Sequence, residues 1–300
     1  MRLRNIVGMR TIKTGLAVMM CCILTSFVVD NMFYCATACV VTMQDTIKTS
    51  FKMGWQRVFG TLIGGLVGFF LVLISPANPI LCGIGIMIVI KCCEIFKLSS
   101  LVVSSVTFFS LYLGYIDSAP LVYSIQRVID TSVGVIMGLI VNYSVARPNY
   151  YNNIINEFKK IKTLCNESLI NIATGNKDLK INNIENKIKT SEILYSKLID
   201  ELNYSKGNFN LDTIDRSLDL CRQVYFHLKS IELLEKELCL NKDNYKKLKR
   251  LYKHEKEFIE VCDNKCPVFN FHLGKVIEKI RLLEELIGSD NNISLHKSVV

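Results

Sequence analysis

Two patterns of apolar and polar positions divide this chain. Up to about Arg147 the apolar residues run in long, nearly unbroken stretches; from Tyr150 onward they recur every three or four positions among Lys, Glu and Asn. A bilayer core about 30 Å thick requires roughly 20 apolar residues per helix, fewer where flanking side chains snorkel or neighbours shield the ends. The first pattern therefore predicts six membrane-spanning helices, at 11–29, 32–47, 54–74, 80–93, 98–116 and 121–145, of which the second and fourth are short. The second pattern predicts amphipathic helices. Their stripes are Ile154, Phe158, Ile161 and Cys165; Ile184, Ile188, Ser191, Tyr195, Leu198 and Leu202; Ile214, Leu218, Cys221, Tyr225 and Leu228; a fourth helix over 246–261; and Leu273, Val276, Ile280, Leu283 and Ile287. Turn-forming stretches "TGNKD", "SKGNFN" and "NKCPVF" separate them, and such helices assemble into a bundle. The expected fold class is all-α. It comprises a six-span transmembrane domain over 1–147 and a cytoplasmic helical domain over 148–300, with the boundary at Arg147-Pro148.

The membrane half repeats itself. At an offset of seventy positions, Gln56, Arg57, Val58, Thr61, Gly64 and Gly68 align with Gln126, Arg127, Val128, Thr131, Gly134 and Gly138, and Gly15 and Thr37 align with Gly85 and Thr107. The offset maps the first three spans on the last three. A unit of three spans enters the membrane from opposite sides in its two copies, so the expected architecture is a pair of inverted repeats, a plan common among secondary transporters.

Charge adds an orientation. Residues 1–147 carry 11 Lys/Arg against 5 Asp/Glu, and residues 148–300 carry 25 against 22. In the first half the basic residues other than Arg127 lie before the first span (Arg2, Arg4, Arg10, Lys13), between the second and third (Lys48, Lys52, Arg57), between the fourth and fifth (Lys91, Lys97), and after the sixth (Arg147). The turns at Asp30, at "SPANP" from Ser75 and at "DSAP" from Asp117 have none. Basic residues accumulate on the cytoplasmic side, so both termini are expected in the cytoplasm of a multi-pass protein of the cell membrane. The net charge of +9 is thereby mostly topological, and no nucleic-acid partner is expected. The N-terminus lacks a small-x-small cleavage site and reads as an uncleaved first span.

Little else carries chemistry. No CxxC pair occurs among the twelve cysteines; seven of them lie in or beside apolar runs, and Cys262 and Cys266 lack a nearby His, so free thiols and no metal are expected. His227, His254, His272 and His296 show no ligand spacing, no phosphate loop or nucleophile elbow is present, and neither an enzyme nor a cofactor is indicated. The run "YKKLKRLYKHEKE" reads as a solvated helix face. Gly60, Gly64, Gly68, Gly134 and Gly138 provide small-residue faces for packing between the third and sixth spans, with the lining of a path as the alternative. Arg57 lies at the cytoplasmic start of the third span. Arg127, seven residues past Pro120, sits about 10 Å along the sixth. An intramembrane arginine is a functional candidate, although Asp130 at i+3 offers it a structural partner. Gln44 and Asp45 interrupt the second span or end it, Trp55 and Tyr34 read as interfacial anchors, and Phe33, Phe108, Phe109, Tyr112 and Tyr115 supply either packing or an aromatic lining.

The stretches "RTIKTGLAV", "MQDTIKTSFKMGWQRVFGTLIGGLVG" and "QRVIDTSVGVIMGLIVN", followed by a Lys/Asn-rich helical tail, resemble the aromatic acid exporter family, related to the fusaric acid resistance proteins. The most specific part is Arg57, Gly60, Thr61 and Gly64; the second copy departs from it with Asp130 in place of Gly60. The resemblance implies efflux of small aromatic carboxylic acids across a lipid bilayer. Half-size chains imply a homodimer. Candidate substrate-binding residues are then Arg127, Arg57, Gln126, Gln56, Thr61 and Thr131, and Asp130 and Asp45 are candidates for proton coupling. With no nucleotide site, a proton gradient or membrane potential would drive export. The alternatives are a membrane-anchored sensor or scaffold whose helical domain recruits partners, and an anion channel.

Overall fold

The computed structural model describes residues 9–25, 32–114, 119–145, 149–176, 178–202, 209–234, 238–252, 258–262 and 265–295. Arg2, Arg4, Asp30, Tyr115, Asp117, Arg147, Pro148, His254 and His296, which enter the sequence reading above, lie outside those residues. The chain divides into two compact units, 1–148 and 149–300.

The first unit holds α1 (Met9–Thr25), α2 (Met32–Thr42), α3 (Ile47–Ile74), α4 (Pro79–Ile95), α5 (Leu101–Tyr112) and α6 (Pro120–Ser144). Among the described residues, α3 and α6 are the two helices long and apolar enough to cross a membrane. The sequence pattern placed the start of the third span at residue 54; α3 begins at Ile47 instead, so Lys48, Lys52 and Arg57 stand on the helix and not in a connection. The cause is local. Thr46 and Thr49 form a reciprocal capping box that satisfies the first free amides and starts the helix early. Asn78 caps α4 ahead of Pro79 in the same way, accepting from the amides of Ile80 and Leu81.

The six helices pack in related pairs. α3 lies against α5 and α6, and α6 against α2; α1 contacts α2 and α6, and α4 contacts α5 and α3. Exchanging the first three helices for the last three leaves this set of neighbours unchanged. The repeat glycines hold the pairs together, but on different partners from those expected. A Cβ on Gly64 would collide with the Ser104 carbonyl oxygen on α5, and a Cβ on Gly134 with the Cys35 carbonyl oxygen on α2. Gly60 and Gly68 also face α5, at Ser100 and Leu111, and Gly138 faces Cys39 and Thr42 of α2. The close approach is thus α3 to α5 and α6 to α2, while α3 meets α6 through Thr61 and Thr131, whose hydroxyls are 3.4 Å apart.

Polarity in this unit is inverted relative to a soluble protein. Large apolar side chains such as Met19, Ile23, Phe70, Leu73, Met87, Val102, Ile129 and Ile136 are exposed, while Ser50, Thr61, Ser104, Thr107, Arg127, Asp130, Thr131 and Asn142 are buried. Only a solvent as apolar as the outer surface makes this distribution favourable.

The second unit has the ordinary polarity. It holds α7 (Tyr150–Ala173), α8 (Ile181–Glu201), α9 (Leu211–Glu232), α10 (Lys242–Leu251) and α11 (Pro267–Leu295). Ile154, Phe158, Ile161, Ile184, Ile214, Leu218, Leu228, Leu273, Val276 and Leu283 form its buried core. The fourth helix is shorter than the stripe suggested: it ends at Leu251, and Val261 instead makes a single parallel bridge with Leu240. The bridge removes Val261 from any helix continuing 246–251. No strand occurs among the described residues; the protein is all-α.

Candidate functional site

The arginines of α3 and α6 both reach one turn of α2. Arg127 on α6 is 3 % exposed, and its guanidinium lies 4.0 Å from the centre of the Tyr34 ring and 4.8 Å from that of Tyr123. Both rings present their negative faces to the cation. The two phenols approach to 3.4 Å, and the Tyr34 hydroxyl donates to Ser110 Oγ of α5 at 2.9 Å. Three residues further along α2, Thr37 accepts a hydrogen bond of 2.9 Å from Arg57 Nη2 of α3. Four helices therefore supply one cluster, built around Tyr34 and Thr37.

Its charges do not cancel. Arg127 Nη2 is 2.7 Å from the carboxylate of Asp130, one turn along α6 and equally buried. Arg127 Nε and Nη1 and Arg57 Nε have no hydrogen-bond partner among the described residues, and no carboxylate of those residues pairs with Arg57. Two guanidinium groups face one carboxylate, a net charge of about +1 at neutral pH where arginine stays protonated. Both planar forks of a guanidinium include Nη2, and each uses a different one of its two hydrogens. Asp130 reaches Nη2 alone, so Nε and Nη1 remain for a second acceptor. Buried donors without acceptors are costly, about 1–3 kcal/mol each, so an anion that supplies oxygens here gains that cost back.

The remaining sequence candidates are distributed unevenly. Thr61 and Thr131 sit at the α3–α6 crossing beside the cluster, and Thr61 Oγ1 donates to the Arg57 carbonyl at 3.0 Å. Gln126 is half-buried next to Arg127. Gln56 is turned elsewhere: its side-chain oxygen accepts from Ser99 and its carbonyl from Ser100 at 2.6 Å. Asp45 is well outside the buried cluster, 41 % exposed and 3.3 Å from Arg10. Gln44 lies beyond the end of α2 at Thr42, where its carbonyl accepts from Asn142 Nδ2 at 3.0 Å, and α3 begins at Ile47. Tyr34, Tyr123, Thr37 and Ser110 were not read as site residues from sequence. For Tyr34, Thr37 and Ser110 no spacing gives a signal, because their contacts with other helices are a property of the packing; Tyr123 is one turn before Arg127 on α6, and the i, i+4 spacing could have found it.

An apolar groove of about 260 Å³ lies on the outer side of the α3–α6 contact, lined by Leu62, Leu66, Phe69, Leu121, Ile125 and Ile129 among others. All twelve cysteines are free. Among the described residues no group of three or more His, Cys, Asp or Glu is placed to hold a metal ion.

Apolar outer faces around a buried cationic seam define a helical membrane protein. Residues 5–145 match the sequence model of aromatic acid exporter family member 1, so the first unit is similar to that family. The chain is also similar to a UPF0421 protein of Staphylococcus epidermidis, 27 % identical over 262 residues, which covers 82 % of this chain and 79 % of that protein. A UPF0421 protein of Staphylococcus aureus is 26 % identical over 217 residues, covering 68 % of this chain and 65 % of its own length.

Proposed function

We propose that the protein exports small aromatic carboxylic acids across the cell membrane, and that the cluster around Tyr34 and Thr37 receives the carboxylate. The observation that carries this reading is the buried Arg127, with two donors lacking partners and two aromatic rings against its guanidinium. A fork of Arg127 binds the carboxylate in two hydrogen bonds, Arg57 adds the second positive charge, and the Thr61 and Thr131 hydroxyls complete the polar lining. Asp130 then shares Arg127 with the substrate. Two carboxylates on one guanidinium repel each other in a low-dielectric interior, which favours proton uptake by Asp130 and links substrate and proton movement. A proton gradient or the membrane potential then drives export.

The six helices α1–α6 act as six spans in two inverted repeats, with both termini and the 149–300 unit in the cytoplasm. The reading is supported by the seventy-residue offset, by the exchange-invariant packing of the helices and by basic residues that lie, Arg57 and Arg127 apart, only at alternate ends of the helices, Lys48 and Lys52 on the first turns of α3 and Lys91 and Lys97 around the end of α4. The protein works as a homodimer. The test is efflux of a panel of radiolabelled aromatic carboxylates, benzoate being the simplest, from loaded cells or vesicles with and without the protein. Uphill export with an imposed proton gradient is expected. Flux that only runs down the substrate gradient would make it a channel, and no flux of any aromatic acid would overturn the reading.

A further inference from the structure

The sequence places Cys239, Cys262 and Cys266 in two separate stretches, and the fold brings them together. Leu240 and Val261 form the one isolated bridge of the described residues: Leu240 N donates to the Glu260 carbonyl at 3.1 Å and Cys262 N to the Leu240 carbonyl at 2.9 Å. Beside it, the buried side chain of Asn270 on α11 donates to the carbonyls of Cys239, at 2.9 Å, and of Cys266, at 3.1 Å. One amide thus holds the backbones of both cysteines in place. Their sulfurs are 3.6 Å apart, and Cys262 also interacts with the Cys239 thiol. Cys239 is buried; Cys262 and Cys266 are partly exposed.

We propose that Cys239 and Cys266 form an oxidation-sensitive pair, a modification site at which a peroxide or an equivalent two-electron oxidant creates a disulfide joining the entry to α10 with the start of α11. The roles follow from exposure. Cys266 is the sulfur that an oxidant in solution reaches. It attacks the peroxide O–O bond, one oxygen leaves as water, and the other stays on sulfur as a sulfenic acid. Cys239 then attacks that sulfur, the S–O bond breaks, and the oxygen departs with the Cys239 proton as a second water. Two thiols lose two hydrogens and the peroxide takes both electrons.

Burial and the two neighbouring thiols push the Cys239 thiol up to about 12, so little thiolate forms and an oxidant in solution does not reach it; its part in the second step rests on its sulfur standing 3.6 Å from that of Cys266. An S–S bond is about 2.0 Å long, so the sulfurs close by roughly 1.5 Å while the Asn270 bonds hold the backbones. This inference is independent of the transport reading, since it concerns the 149–300 unit alone.

The experiment uses the full-length protein in purified membranes, treated with hydrogen peroxide, then alkylated, denatured, digested with trypsin and analysed by mass spectrometry. Lys236, Lys242, Lys256, Lys265 and Lys275 leave each of the three cysteines on a separate peptide, so pairings are read directly. The expected result is a linked species joining the Cys239 and Cys266 peptides, reversed by dithiothreitol, absent in Cys239→Ser and in Cys266→Ser, and retained in Cys262→Ser. Asn270→Ala, which releases both carbonyls, is expected to reduce its yield severalfold. Separate alkylation of Cys239 and Cys266 after oxidation, or linkage only through Cys262, would overturn the proposal.

Discussion

At the scale of single residues, the seventy-residue repeat is a guide to position but a poor guide to role. Gln56 and Gln126 are equivalent in the alignment, yet Gln56 is held by Ser99 and Ser100, whose counterparts at the offset are Val29 and Asp30. The second copy cannot make the same bonds. At the next divergence Gly60 leaves room for the Ser100 and Ser104 hydroxyls, 2.6 and 2.7 Å from where a Cβ would stand, while Asp130 fills the matching place with a carboxylate. Arg127 and Asp130 were legible because i and i+3 are neighbours on any helix, and Tyr123, four residues before Arg127 on α6, obeys the same spacing; Tyr34 was not, because its ring reaches Arg127 only through the packing of α2 on α6. These contacts give the first prediction. Arg127→Lys keeps a charge but loses the fork, and aromatic-acid efflux normalised to protein in the membrane should fall about tenfold, since a charged hydrogen bond contributes roughly 1.5–3 kcal/mol and each 1.4 kcal/mol is tenfold. Arg127→Gln should abolish it and also lower abundance, because Asp130 is left buried without its counter-charge. In the double variant Arg127→Gln with Asp130→Asn, abundance should recover while efflux stays lost. Recovery of both would leave Arg127 as a structural partner of Asp130 and nothing more.

Helices and their contacts were legible where pattern and physics coincide. The stripes of α7, α8, α9 and α11 match the buried faces of those helices, because a soluble bundle must bury one apolar stripe per helix. In the membrane unit both faces are apolar, so hydropathy located helices but could not say which face met which neighbour. The glycines therefore face α5 and α2, where backbone approaches backbone, and not each other. Gly64→Val should force α3 from α5 at a cost of about 1–3 kcal/mol, as overpacking does, and Gly134→Val should do the same to α6 and α2. Thermal unfolding in detergent tests this; a variant as stable as the parent would mean that the helices separate without cost.

A second contact at this scale was invisible to spacing rules. His227 on α9 and His272 on α11 bring their Nδ1 atoms within 2.8 Å, so in the hydrogen-bonded pair one nitrogen donates and the other accepts. Burial lowers the pKa of His227 below the usual 6.5, helped by His272 and by Lys279 and Lys275. A depressed folded-state pKa means that the contribution to stability is complete above 6.5 and is lost as the pH falls through the lower folded value. Amide hydrogen exchange in α9 and α11, corrected for its intrinsic pH dependence, should accelerate between pH 7 and about 5 in the parent and change less in His227→Gln. Equal acceleration in both would remove the pair from the account.

For the whole molecule, the proposed arrangement follows from where the charges lie and from what each unit hides. One unit exposes its apolar side chains and buries its polar ones, the other does the reverse, and composition alone anticipated that contrast. Orientation rests on the connections. Asn78 begins α4 just after Ser75, Pro76 and Ala77, a turn without Lys or Arg, and α4 ends beside Lys91 and Lys97. If α4 spans the bilayer, the side bearing Lys97 is cytoplasmic, because basic flanks are retained on that face, and the turn at Ala77 is outside. Single cysteines introduced at Ala77 and in place of Lys97, in a background whose accessible native thiols are replaced by serine, separate the two sides when intact cells are treated with a membrane-impermeant maleimide. Ala77→Cys should be labelled from outside, and Lys97→Cys only after the membrane is broken. A cysteine at Lys160 on α7 should behave like the one at Lys97, since 149–300 is expected on the same side as the basic connections. Labelling of Lys97→Cys in intact cells would reverse the orientation of α4 and with it the inverted-repeat arrangement. Labelling of both Ala77→Cys and Lys97→Cys from outside would mean that α4 does not cross, leaving an odd number of spans and placing the two termini on opposite sides.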